Sequence, residues 1–296
     1  MAFHESFQCL WCGRPHQTRG SDDIEGFAQL CSECVGRAQD NEFLRFRLRQ
    51  GLQARNAAAA AETARADSLA APDADAEMRA YYAARAPEYD DWYLRRGRYS
   101  RGPIADMAWQ ADLDAATMWL DGLPMSGEIV ELAAGTGWWS PLLAQKGELS
   151  LYDVNEEPLD RARERLLAHG LRAHIHIRDA WEEPDRQVDA VFAGFWLSHV
   201  QSERLPAFLA LVRRWLKPGG LFAFIDSRPD PESGAKDGVP VVNDVAIRRL
   251  ADGREFRIPK VFYEPEELAA ALRLAGFADA DMATTNRFFL LGRATA

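Results

Sequence analysis

From Glu128 onward, short apolar runs alternate with amphipathic segments. The runs are EIVELA, ELSLYD, RAHIHI, VDAVFAGF, GGLFAFID, FADADMATT and RFFLLGRA. Between them, EEPLDRARERLLAHG, ERLPAFLALVRRWLKPGG and EPEELAAALRLAGF place apolar residues at helical spacing. This alternation predicts an α/β fold, a mostly parallel sheet with helices on both faces. The last two runs have almost nothing between them, which predicts an antiparallel closing hairpin. Residues 78–124 are aromatic and helical in pattern. Ahead of them, 41–77 begins as a helix former and ends in an Ala/Asp/Pro linker. Residues 1–40 hold all the cysteines and several turn residues, and read as a separate small module.

Composition narrows the classes. The chain has 296 residues, 47% hydrophobic, enough for one large core or two domains. Its formal net charge of -10 disfavours general nucleic-acid binding. No run is long and apolar enough to span a membrane, and MAFHESFQCL lacks the regions of a secretion signal, so a cytoplasmic location is expected. In a reducing compartment the four cysteines point to metal rather than disulfides. Cys9-x2-Cys12 and Cys31-x2-Cys34, with 18 residues between the pairs, have the spacing of a four-thiolate site. Four ligands close the coordination shell, so the expected ion is a structural zinc, with a redox or iron site as the alternative.

The segment ELAAGTG lies between the first predicted strand and a helix expected near Trp138, and Asp153 ends the second strand. Such loops leave the carboxyl ends of parallel strands, where nucleotide folds bind ligands. Glycine permits a sharp turn and close approach of a ligand, and a carboxylate at a strand end can accept both hydroxyl hydrogens of a ribose. A dinucleotide fingerprint wants a third glycine where Ser140 stands. An adenosine without phosphates fits better.

These residues resemble the class I S-adenosylmethionine-dependent methyltransferases, with a Rossmann-like sheet whose last strand is antiparallel. Glu131, Ala133, Gly135 and Gly137 match that family's acidic, glycine-rich loop, with alanine in place of its first glycine. The resemblance implies that Asp153, followed by Val154, holds the ribose, and that Asp179, Ala180 and Trp181 meet the adenine. VDAVFAGFWLSHV is similar to the fourth strand and the loop over the methyl group, which brings in Phe195, and WLKPGGLFAFID to the turn into the fifth. The resemblance covers about residues 78–296 and implies S-adenosylmethionine as cofactor.

The acceptor is narrowed by what is missing. The fourth strand is followed by AGFWLSH, not by the D/N-P-P-aromatic motif of amide and base-amine methylation. No cysteine lies in the catalytic part and no C-x-x-x-C-x-x-C is present, which removes Cys-adduct and radical routes. The expectation is O- or N-methylation of a small molecule, with His199 as candidate base. Tyr82, Arg85, Tyr89 and Trp92 would close over the site, with Arg85 near the methionine carboxylate; simple packing of the aromatics is the alternative.

Residues 228–263 form an insertion with a hairpin signal at Asp252-Gly253. Its cations, Arg254 and Arg257 foremost, would recognise an anionic acceptor, or else merely protect an edge strand. Two other readings stand beside the small-molecule one. The first is an RNA methyltransferase positioned by the zinc module; the second is a non-catalytic protein that binds S-adenosylmethionine. Residues 1–56 hold seven Arg against seven Asp plus Glu, a neutral module, which favours protein docking or a homodimer contact over RNA.

Overall fold

The computed structural model describes residues 3–20, 23–38, 41–55 and 74–296. The chain divides into two compact units, Met1–Pro72 and Asp73–Ala296. The Ala-rich linker expected after residue 55 lies mostly outside the described residues.

In the first unit, β1 (Ser6–Gln8) pairs antiparallel with β2 (Pro15–Gln17), followed by α1 (Ile24–Ala28), α2 (Ser32–Gly36) and a longer helix α3 (42–55). Its core is small: Ala28, Leu30, Leu44 and the cysteine side chains. Gly51 lets α3 sit directly on Ala28, where a Cβ would come within 2.9 Å.

The second unit opens with α4 (Ala74–Arg85), α5 (Asp90–Tyr93) and α6 (Pro103–Asp121). Then come β3 (Glu128–Leu132), α7 (Ser140–Lys146), β4 (Glu148–Asp153), α8 (Glu156–Ala168), β5 (His174–Ile177) and β6 (Val188–Gly194). After α9 (Leu205–Trp215) and β7 (Leu216–Ser227), a ribbon of β8 (Val245–Arg249) and β9 (Glu255–Pro259) precedes α10 (Pro265–Leu274), β10 (Ala278–Thr284) and β11 (Phe289–Thr295).

The main sheet has the order β10-β11-β7-β6-β3-β4-β5. Its pairs are parallel from β7 to β5, while β11 runs antiparallel to β7 and β10. Every predicted run is a strand, and the closing hairpin is antiparallel.

The pleat sorts side chains between two cores. On β3, Ile129 joins Trp109, Leu143 and Phe289 on the face of α6 to α8. Val130 and Leu132 join Phe208, Trp215 and Phe222 on the face of α9 and α10. Order reverses between β3 and β6, and the loops leaving those two strands diverge there. That divergence is the place where this class of sheet opens to a ligand. Among the described residues no helix is long and apolar enough to cross a membrane.

Candidate active site

The loop after β3 turns on three left-handed residues, Ala133 (φ 50°), Gly135 (φ 55°) and Gly137 (φ 68°). Ala133 holds that conformation with a Cβ, a strain of about 1–2 kcal/mol that a glycine would avoid. The two glycines do different work. A Cβ on Gly135 would meet nothing within 4 Å, so that position faces open space. One on Gly137 would lie 2.6 Å from the Ala162 side chain, so that glycine lets α8 pack against the loop.

Asp153 ends β4 with both carboxylate oxygens fixed. The Gly135 amide donates to Oδ2 at 2.9 Å and the Asn155 amide to Oδ1 at 2.9 Å. Burial pushes its pKa up to about 6, against the lowering effect of those amides. Asp179, after β5, caps the Trp181 amide at 3.0 Å.

Around these groups lies a cleft that includes Ala133, Gly135, Asp153, Val154, Asp179, Ala180, Trp181 and Phe195 in its walls. Tyr82 and Tyr89 of the α4–α5 region cover it. The helix α4 is latched across it, with Arg79 Nη2 3.5 Å from Asp179 and the Asn155 amide group donating to the Arg79 carbonyl at 3.1 Å. The cleft beneath it is narrow, with ≈ 70 Å3 of open space.

Two expected cofactor residues lie elsewhere. Glu131 is buried beside α7, accepts a 2.6 Å hydrogen bond from the Ser140 hydroxyl, and is pushed up to about 8 by burial. The pleat of β3 turns its side chain to the same face as Ile129, away from the cleft wall. Gly137 is likewise a packing residue.

A second, larger cavity of ≈ 690 Å3 adjoins the first; Tyr82, Tyr89, Phe195 and His199 line both. His199 sits in the short turn Leu197–His199 after β6 and is buried. Its Nδ1 is 2.7 Å from the Pro259 carbonyl, and its Nε2 2.6 Å from the Tyr82 hydroxyl. The carbonyl fixes the proton on Nδ1, so Nε2 accepts from the tyrosine. Burial, then the charge of Lys260, hold the imidazole well below its usual pKa, so it is neutral at pH 7 and not poised near neutrality as the sequence suggests.

Arg85 and Trp92 line this second cavity and not the cofactor-type cleft, which moves Arg85 away from the expected methionine carboxylate. Three residues along α4 from Tyr82, Arg85 stacks its guanidinium 4.4 Å over the Tyr89 ring. Arg254 and Arg257 line neither cavity. Both are exposed: Arg254 pairs with Asp252 at 2.8 Å, and Arg257 is anchored by its backbone amide on Glu77 at 2.6 Å. On this ribbon the cations that line the second cavity are Arg248, Arg249 and Lys260, and of these Arg249 is exposed and paired with Glu255. The basic cluster is legible in the sequence, but which of its members face inward depends on how the ribbon docks. The Tyr82–His199 pair and the Arg79 latch carry no sequence signal of their own.

In the first unit the Sγ atoms of Cys9, Cys12, Cys31 and Cys34 all lie within 4.8 Å of one another, and those of Cys12 and Cys31 are 3.7 Å apart. Zinc–sulfur bonds of about 2.3 Å in a tetrahedron require about 3.8 Å between sulfurs. The donor set fits that ion.

Residues 129–220 match a family described as a methyltransferase domain. Over 179 residues the chain is 28% identical to a ubiquinone/menaquinone biosynthesis C-methyltransferase of Proteus mirabilis, covering 54% of this chain and 70% of that one. It is 31% identical over 145 residues to a dimethylglycine N-methyltransferase of Parasynechococcus marenigrum, covering 46% of this chain and half of the relative. The solved DhpI complex with SAH is 32% identical, with a TM-score of 0.56, covering 74% of this chain and 94% of DhpI. The DhpI-SAM-HEP complex is 30% identical with a TM-score of 0.60, covering 76% and 98%.

Proposed function

Because the chain belongs to the S-adenosylmethionine-dependent methyltransferases, we propose that it methylates an oxygen or nitrogen of a small molecule, and that its four cysteines hold a structural zinc ion. The observation that carries the acceptor class is the second cavity. A space of ≈ 690 Å3 meeting the cofactor cleft at Tyr82, Phe195 and His199 is of the size that encloses a small molecule.

S-adenosylmethionine supplies a methyl group already activated on sulfur, so the chain's contribution is alignment and exclusion of water. Asp153 would accept the ribose hydroxyls on the lone pairs its two amide donors leave free. Asp179 and the Ala180 backbone would meet the adenine once Arg79 releases Asp179. Gly135, with no side chain, leaves the loop backbone open to the methionine end. His199 holds the Tyr82 hydroxyl at the junction, on the line between donor and acceptor spaces.

Asp153 gives this reading a pH signature. Its folded-state pKa is raised to about 6, and ribose hydroxyls bind the ionised carboxylate. Cofactor affinity should therefore be level above about pH 7 and fall about tenfold per unit below about pH 6. Calorimetric titrations across pH 5 to 8, with circular dichroism to confirm folding, check this; affinity that rises on acidification contradicts it.

The balanced charge of residues 1–56 and a second cavity of small-molecule size both favour a small molecule over RNA. Reduced, metal-ready thiols also suit a cytoplasmic setting. The test is transfer of label from methyl-labelled S-adenosylmethionine into either a small-molecule cell filtrate or total RNA. The expected result is label in the filtrate alone. Label in RNA would move the acceptor to a polymer, and tight cofactor binding with no transfer to either would leave a non-catalytic binder.

A further inference from the structure

The protein is acidic overall, yet its second cavity is not. Seven Lys and Arg and four carboxylates line it. Three of those carboxylates are neutralised within the protein: Asp230 by Arg287 at 2.7 Å, Asp237 by Arg98 at 2.8 Å, and Glu255 by Arg249. Arg85 and Arg248 make no ion pair among the described residues. Arg85 is buried, and its Nε has no hydrogen-bond partner. Lys260, also buried, donates to Ser198 Oγ at 2.7 Å and Ser227 Oγ at 3.1 Å, with Asp226 3.8 Å away. These three cations surround the His199–Tyr82 pair closely enough that all of them help to keep the imidazole uncharged.

Buried cations without counter-ions cost stability unless something repays the lost hydration. Of the three, Arg85 is buried and Arg248 half-buried with no carboxylate partner among the described residues, while Lys260 has Asp226 3.8 Å away, so an anion in this cavity would meet two cations that the protein leaves unpaired. Resting on the reading of this chain as a small-molecule methyltransferase, we propose that the acceptor is an oxyanion, a carboxylate or a phosphorus acid, held by Arg85, Arg248 and Lys260 and methylated on its charged oxygen.

The step balances without a base. A lone pair of the anionic oxygen forms the bond to the methyl carbon while the carbon–sulfur bond breaks and its electron pair stays on sulfur. One negative and one positive charge are consumed, giving a methyl ester and a neutral thioether, and no proton is released. A buried imidazole held neutral therefore suits this acceptor better than it suits an alcohol, whose methylation must discard a proton. The guanidinium groups match the two-oxygen edge of a carboxylate or phosphonate.

The test uses the full, zinc-loaded chain saturated with S-adenosylhomocysteine, titrated calorimetrically with benzoate, phenylphosphonate and uncharged benzyl alcohol. At least one anion should bind about tenfold or more tighter than the alcohol, with affinity falling as salt is raised. Which anion binds distinguishes the carboxylic from the phosphorus acid. Arg248→Ala should abolish the preference while leaving S-adenosylhomocysteine affinity unchanged, and Arg254→Ala, outside the cavity, should keep it. Equal binding of charged and uncharged probes, binding of none, or a preference that survives Arg248→Ala overturns the proposal. Failure of S-adenosylhomocysteine itself to bind overturns instead the reading on which the proposal rests.

Discussion

Cys9→Ser is expected to unfold the first unit while leaving the catalytic unit's cofactor affinity unchanged. The small core of Ala28, Leu30 and Leu44 is built around the cysteines, and Cys9, Cys31 and Cys34 are themselves buried in it. The Cys31 amide also points at Cys9 Sγ, 3.4 Å away. A serine hydroxyl neither ligates zinc as a thiolate does nor fills the sulfur's volume. Structural zinc in small modules contributes about 10–16 kcal/mol of apparent binding energy, more than so small a core supplies by burial. Zinc content by atomic absorption should drop from one ion per chain to near none, and limited proteolysis should cut within 3–55. The second unit has its own two cores and should still melt cooperatively. Undiminished zinc, or a first unit equally protease-resistant, would contradict the four-thiolate site.

Gly137→Val should be the most damaging single change in the cofactor loop, although Gly137 does not touch the cleft. Its φ of 68° disfavours a β-branched residue, and even the first added carbon meets Ala162 at 2.6 and 2.9 Å. Left-handed strain of about 1–2 kcal/mol adds to overpacking of about 1–3 kcal/mol, for a loss of about 2–5 kcal/mol in stability. Relief can come only by moving α8 or the loop, and the loop carries the Gly135 amide that orients Asp153. Urea denaturation should show the lost stability, and cofactor affinity should fall with it. Gly135→Ala, with open space at its Cβ, should cost less in stability. The reverse order of the two variants would contradict this division of labour.

The two glycines also mark what a sequence can reveal. Both read as ligand glycines from spacing alone, and only the position of Ala162 on α8 separates them. The strands were legible because apolar alternation reports burial directly, and the order of motifs sufficed to place Asp153, Asp179 and Ala180 in one cleft wall. For Glu131 the motif match and the strand pattern point different ways: period two puts it on the face of Ile129, where Ser140 meets it. Charge clustering in the insertion was legible too, but its direction was not. Arg254 and Arg257 stand on a ribbon with charges on both faces, so pattern does not select the buried one. The three cavity cations that surround His199, Arg85, Arg248 and Lys260, come from α4 and from both strands of the ribbon or their ends, and only tertiary docking brings them together.

S-adenosylmethionine is expected in the cleft after β3 with its ribose on Asp153. Isothermal titration of the zinc-loaded chain and of Asp153→Ala at pH 7.5 tests it most directly. Two hydrogen bonds to a carboxylate, about 1.5–3 kcal/mol each, predict that the substitution weakens binding by about a hundredfold or more. Wild-type binding that survives Asp153→Ala unchanged, or no wild-type binding at all, would remove the cofactor from this cleft.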